Sequence, residues 1–299
     1  MKLMEFVGSP LHHLIQHSAE GHEHDFIKFS DLKLSDKLDN FFLSAEETVK
    51  KIYSLEGCPR EVTGNFDISH NVLSDLENSP VFIGKNFNCS YNELETLKGN
   101  LEQIHGDFDC SHNYLIDLSG GPKVVLGTKY NCSGNKLTTL EGAPKDLPNA
   151  EFICSSNEIT NLKGCPNKIH GDFRLDNNKL SELFSPNVTG IECISNVNVR
   201  DNSITTLENC HLTFMSIGKM LFLRGNPIQE CVLSVLLIHG LTAVSMDDMQ
   251  IQKVLNKQLS NIRANRVSVK EAIQNARDEL LDLHLHEYAK DSKDLLKHL

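Results

Sequence analysis

The side chains of this 299-residue chain best suited to chemistry are its 14 histidines and 9 cysteines, and their spacing limits what they could do. His12, His13, His17, His22 and His24 crowd one end, and His284, His286 and His298 the other. His13 and His17 stand one helical turn apart, a spacing that can hold a metal. No Glu follows as in the His-Glu-x-x-His zinc helix, and no Cys pair lies nearby, so solvated surface histidines are expected and no metal or cofactor. Cys89, Cys110, Cys132 and Cys154 recur at one position of a repeating unit whose other copies carry Ile, Leu or Val there, so apolar character is the requirement. An odd total does not suit a disulfide framework. These thiols read as reduced, inert core residues of a cytosolic protein.

No Gly-rich phosphate loop, nucleophile elbow or zinc-ribbon spacing is present, and no confined carboxylate cluster or nucleophile–base pair can be assembled from neighbouring letters. The expectation is a protein without a catalytic centre.

What dominates the sequence is a repeat. Asn71, Asn92, Asn113, Asn135, Asn157, Asn178, Asn202 and Asn226 follow one another at steps of 21, 21, 22, 22, 21, 24 and 24 residues. Two residues after each Asn stands Leu or Ile, from Leu73 to Ile228, and five after it Leu, except for Cys231 in the last copy. Before each Asn the apolar residues alternate, as in Phe66 and Ile68, Phe108 and Cys110, or Leu221 and Leu223, which predicts strands with one buried face. Turns such as Leu140-Glu141-Gly142-Ala143-Pro144 separate them and leave no room for a long helix. One such unit cannot bury its own apolar side, whereas stacked units share a continuous core. The fold expected is therefore an α+β repeat solenoid with a parallel sheet of about eight strands, roughly 35 to 40 Å long at ~4.8 Å per strand. The Asn amide both donates and accepts, so a column of them can satisfy the backbone where each strand bends.

Removing the core positions leaves the side chains that face outward on the sheet. In the first five units these include Ser two residues before each Asn, which reads as upkeep of the repeat. The last three units depart from it with Arg174, Asp176, Arg200, Phe222 and Arg224, residue types that favour protein-binding hot spots, although Asp176 and Arg200 could merely pair across the sheet. His70, Tyr91 and His112 stand on successive units just before the Asn and form a second candidate cluster for a protein partner.

The pattern of a hydrophobic residue, two spacers, Asn, a spacer and another hydrophobic residue resembles the leucine-rich-repeat superfamily over residues 55–231. The unit Ile104-His105-Gly106-Asp107-Phe108-Asp109-Cys110-Ser111-His112-Asn113 is similar to repeat proteins encoded by large T-even-like bacteriophages and their hosts. That resemblance implies a binding module, with a phage-encoded inhibitor or sequestering factor for a host protein as its role and the host cytoplasm as its location. Bacterial ubiquitin-ligase effectors also join such repeats to a helical domain, but their Cys-x-Asp centre is missing here, where Glu230-Cys231-Val232-Leu233 holds the only C-terminal cysteine.

The ends of a solenoid need covering. Residues 1–52 are expected to form a helical N-terminal cap, with Leu11, Leu14 and Ile15 at helical spacing and a Ser44-x-x-Glu47 capping box. Residues 53–230 form the array and 231–299 a helical C-terminal cap. In the latter, Val232–Leu241 reads as a buried helix, Asp247 and Asp248 precede an amphipathic helix through Ile251, Val254, Leu255, Leu259 and Ile262, and Ser268 with Glu271 opens another running to about Tyr288. Oligomerisation of a structural component through these helices is the alternative role.

Lys and Arg number 29 against 40 Asp and Glu. Residues 229–299 hold 9 basic and 10 acidic side chains, so nearly all of the net charge of -11 lies before them. That field repels phosphate backbones, and nucleic acid is not an expected partner. No stretch reaches membrane-spanning length. A soluble monomer or weak oligomer is expected.

Overall fold

The computed structural model describes residues 26–32, 37–44, 51–185 and 187–289. The chain winds into a parallel-sheet β-solenoid. Its main sheet has ten strands, one per coil, running from Phe41–Phe42 to Ala243–Ser245. Equivalent residues pair throughout: Phe41 with Phe66, Phe66 with Phe87, Phe87 with Phe108, and on through Tyr130, Phe152, Phe173, Val197 and Leu221 to Val244.

Two of these strands lie outside the eight Asn-marked units. The first, at Phe41–Phe42, replaces part of the expected N-terminal helical cap. The described residues before position 55 form short strands, Phe26–Lys28, Lys37–Leu38, Phe41–Phe42 and Lys51–Ser54, and one 3-10 turn, Phe29–Leu32. Phe29 and Phe41 belong to the solenoid core, where they pack at 4.9 Å between ring centroids, while Phe26 and Phe42 are exposed. Leu11, Leu14, Ile15 and the Ser44-x-x-Glu47 box as a whole lie outside the described residues.

The second extra strand follows the apolar run after Cys231. That run is not the expected helix: only Val232–Leu237 is helical, as a 3-10 segment, and Gly240 at φ 74° then turns the chain into Ala243–Ser245. Leu221 pairs with Val244, so the run is the back of one more coil, and all of Val232–Leu236 is buried. In that register Met249 stands where the next Asn would, and the Asp248 carboxylate just before it accepts from the Gln250 and Ile251 N–H groups and caps the helix Met249–Arg263.

Three α-helices occur among the described residues: α1 (Cys210–Thr213), α2 (Met249–Arg263) and α3 (Val269–Asp282). Of the apolar stripe expected for α2, Ile251, Val254, Leu255 and Leu259 are buried and Ile262 is half-buried. Ser268 and Glu271 form the capping box that opens α3, which ends at Asp282 rather than near Tyr288. Both helices pack on the last coil through its 3-10 segment.

A second sheet lies just before each main strand, where only turns were expected. It is built from pairs such as Phe82–Ile83 and Gln103–Ile104, whose second residue is buried, and it falls into a five-stranded and a four-stranded part. Pro148 explains the break. It occupies the position at which the N–H groups of His105 and Leu126 donate to Ile83 and Ile104, and proline has no N–H to give. The Asn149 amide donates to the Leu126 carbonyl at 3.0 Å instead. Between the two sheets the chain bends at Gly64, Gly84, Gly106, Gly127, Gly171 and Gly218, where a Cβ would lie within 2.4 Å of the neighbouring coil.

Inside, the rings at the main-strand position form a continuous column with centroid spacings of 5.1 to 5.6 Å from Phe41 to Phe173. Tyr130 stands edge-on between Phe108 and Phe152, and its hydroxyl is buried without a hydrogen-bond partner among the described residues. Burial also pushes that phenol well above its ordinary pKa. Tyr130→Phe removes an unpaired polar atom and keeps the ring, so it is expected to raise stability by about 1 kcal/mol in a urea titration, and a loss of stability would count against this account.

Candidate functional site

Each main strand offers one face to the core and the other to solvent, so the outward side chains form rows across the sheet. The repeating backbone first settles which of them are occupied in holding the coils together. In every unit from Asn71 to Asn226 the Asn side chain is nearly buried. The Asn113 amide donates to the Cys89 and Cys110 carbonyls at 3.1 Å each, and its oxygen accepts from the Leu94 N–H at 3.0 Å. It thus ties its own coil to the preceding one, the role expected for the column. The residue before each Asn is left-handed, with φ between 53° and 76° from His70 to Gly225.

A second polar ladder has no counterpart in the sequence reading. At the bend before each strand, Asn40, Asn65 and Asn86 accept through their side-chain oxygens from the N–H groups of Asn65, Asn86 and Asp107 one coil on. Asp107 does the same for Thr128 and Lys129. Asp172 accepts from Ser195 Oγ at 2.6 Å and from both nitrogens of Asn196. Burial works against charge on Asp172, yet these hydrogen bonds outweigh it and hold the carboxyl below its usual pKa. The signal was present as Asn or Asp directly before Phe66, Phe87, Phe108 and Phe173.

The Ser column is structural, as expected, but it does not face solvent. Ser69, Ser90 and Ser111 are buried and Ser133 is half-buried, and each hydroxyl folds back onto the residue two before it. Those acceptors, Asp67, Asn88, Asp109 and Asn131, form the first outward row. Amide alternates with carboxylate, so Asn88 donates to Asp67 and Asn131 to Asp109, and no two carboxylates face one another.

From the fifth unit the row changes character: Ile153, Arg174, Asn198 and Phe222 stand side by side in register. The Arg200 guanidinium lies over the Phe222 ring, 4.5 Å from its centroid. Arg174 pairs with Glu151 at 3.2 Å, and Arg224 Nε with Asp247 at 3.5 Å. No ion pair joins Asp176 to Arg200, which corrects the cross-sheet pairing weighed from the sequence. The Asp176 carboxylate instead accepts from Ser155 Oγ at 2.8 Å and Asn198 Nδ2 at 2.9 Å, one donor from each flank, while Arg200 turns onto the following coil. The candidate residues of the last three units are therefore brought together around an Arg-on-aromatic centre. Glu151 and Asp247, which orient the two outer arginines, were not among the candidates.

His70, Tyr91 and His112 also come together, as a column of nearly parallel rings with centroids 4.5 and 4.3 Å apart and planes tilted by 7° and 12°. The left-handed backbone turns all three off the sheet and onto its rim, where Tyr91 and His112 are exposed. Two further exposed residues extend this rim, Tyr114 at 49% and Ile116 at 59%, with the Lys136 ammonium over the Tyr114 ring. They were missed because the strand alternation ends at the Asn. Their signal is an apolar residue where neighbouring units carry Glu93 or Lys136, and Glu95 or Thr138. Gly134 follows His112 in the column, and His112 stands three coils before Arg174, so the two clusters lie roughly 14 Å apart at ~4.8 Å per coil.

Neither cluster presents a nucleophile with a base. Among the described residues no three His, Cys, Asp or Glu are placed to hold a metal, and no helix is long and apolar enough to cross a membrane. The two histidines considered as a metal pair, His13 and His17, lie outside the described residues, as do His12, His22, His24 and His298. No disulfide joins any of the nine cysteines. Burial raises the thiol pKa of Cys89, Cys110 and Cys154 well above normal and that of Cys193 to about 11, which disfavours the reactive thiolate.

No protein-family model matches the sequence, and no curated protein matches it either.

Proposed function

We propose that this chain binds a protein partner along the outward face of the ten-stranded sheet, with Arg174, Asp176, Arg200, Phe222 and Arg224 as the energetic centre and the His70, Tyr91, His112 rim as a second contact. The single observation that carries this reading is the Arg200 guanidinium stacked on Phe222, flanked by two arginines already held in place by Glu151 and Asp247. Preordered Arg and aromatic side chains lose little conformational freedom on binding, which is what makes such residues hot spots. Everywhere else on the sheet the polar side chains are engaged in ladders that serve the repeat.

The solenoid is of leucine-rich-repeat type in this reading, the sheet is its concave surface, and α2 and α3 are its C-terminal cap. Burial of their apolar stripes against the last coil favours a cap over assembly through these helices. The resemblance to T-even-like phage proteins supports a phage-encoded inhibitor or sequestering factor in a host cytoplasm.

The reading is tested by affinity capture with three baits: the wild-type chain, Arg174→Ala/Arg200→Ala/Arg224→Ala, and Tyr91→Ala/His112→Ala. Four of the five positions are exposed and Arg200 is half-buried outside the core, so circular dichroism should be unchanged. The triple variant is expected to lose the specific partner by at least tenfold in affinity, about 1.4 kcal/mol, and the rim variant to weaken it less. Retention of every wild-type partner by both variants at wild-type affinity would exclude this face.

A further inference from the structure

The last strand of the main sheet, Ala243–Ser245, is an edge, and an edge strand presents unpaired N–H and C=O groups to any chain that can add to it. Here those groups are taken by side chains. The Val244 N–H donates to Asn256 Oδ1 at 2.7 Å, and Asn256 Nδ2 donates back to the Val244 carbonyl at 3.0 Å. One residue pair further, the Met246 N–H donates to Gln252 Oε1 at 2.8 Å. Asn256 and Gln252 lie one turn apart on α2, whose apolar stripe anchors it to the same coil. Two side-chain amides thus make the hydrogen bonds that a further strand would make.

We propose that this edge is a strand-accepting surface closed by Asn256 and Gln252, and that its occupant when opened is the Phe41–Phe42 edge of a second copy of this chain, added head to tail. The choice of occupant follows from the register. Throughout the sheet the N–H of a core-facing residue donates forward to the residue before its partner on the next coil, as Phe66 does to Asn86 and Ile68 to Asn88. Extending that rule by one strand, Val244 donates to the Asn40 carbonyl of the second copy and Met246 to its Phe42 carbonyl. The Phe41 and Leu43 N–H groups point inward to Asn65 and Asp67, so alternation directs the Phe42 amide the other way. A joint between opposite ends of one molecule does not close on itself, so assembly would continue beyond a dimer.

The inference stands apart from the partner-binding reading and is tested separately. Full-length Asn256→Ala/Gln252→Ala is compared with the wild-type chain by size-exclusion chromatography with light scattering over a hundredfold range of concentration. The expected result is a mass that grows with concentration to at least twofold above the wild type, and that falls back when Phe42→Pro is added, since proline removes the N–H at the receiving edge without touching the Phe41 and Leu43 bonds. Gln252→Ala alone, which leaves Asn256 in place, is the second arm should the double variant not fold, with growth in the same direction. The proposal fails if the folded variants keep the wild-type mass at every concentration, or if Phe42→Pro leaves their assembly unchanged.

Discussion

Asn113→Ala is expected to destabilise the chain by about 3–5 kcal/mol, because the Leu94 N–H and the carbonyls of Cys89 and Cys110 all lose a partner in a site closed to water, at ~1–3 kcal/mol for each unmade bond less some relaxation. The side chain making those bonds is 4% exposed, so solvent offers little replacement. Asn88→Ala is the control. That residue lies in the outward row, bonded to Asp67 and Ser90 at a half-buried position, and a loss below about 1 kcal/mol is expected there. Urea denaturation of both variants decides the matter, and equal losses would mean that the buried column has no special standing. Because coils contact only their neighbours, a break at Asn113 should also reduce cooperativity, seen as a smaller dependence of unfolding free energy on urea.

The second large effect is expected at Gly127. A Cβ there would lie 2.2 Å from the Gly106 carbonyl carbon and 2.4 Å from the Asp107 nitrogen, both backbone atoms that cannot swing aside. Gly127→Ala must therefore separate two coils whose hydrogen bonds fix their spacing, and a loss of about 3 kcal/mol or more is expected. Gly190 provides the contrast. Its φ is 78° and nothing lies within 4 Å of its missing Cβ, so Gly190→Ala incurs only the left-handed backbone penalty of about 1–2 kcal/mol. Thermal unfolding should rank the two variants in that order. The reverse order would show that backbone conformation, not coil spacing, governs these glycines.

Much of this architecture was legible because the repeat enforces it. The interval between asparagines gave the coil length, and the alternation from Phe66 to Leu223 gave the buried face, since a stacked array repeats each constraint in every unit. Reading failed where a coil lost its marker. Residues 232–241 look like a helix by apolar content alone, yet the strand Ala243–Ser245 that follows requires a return segment there, and Gly240 is part of the turn rather than a helix stop. The second sheet was hidden because its strands are only two or three residues long for the most part, too short for a periodicity to register. Of the candidate site, the membership of both clusters could be read from departures in the repeat, but their internal bonds could not. Arg200 had equal access, by sequence, to Asp176 and to Phe222; only the direction of the side chain distinguishes a neutralised ion pair from an Arg-on-aromatic centre.

The Asn bonds all point the same way along the array, and this has a consequence for the order in which the protein can be made. The Leu73 N–H is served by Asn92, Leu94 by Asn113 and Ile204 by Asn226, so each coil is completed by a residue that leaves the ribosome about one repeat later. During synthesis the growing end is always one coil short of finished, and structure can advance only as fast as the next asparagine arrives. The last coil is released from that dependence: the Ile228 N–H turns back to the Asn226 carbonyl, and Met249, in register with Asn226, opens a helix capped by Asp248. Where the ladder calls for another asparagine the chain begins a helix, and the array stops.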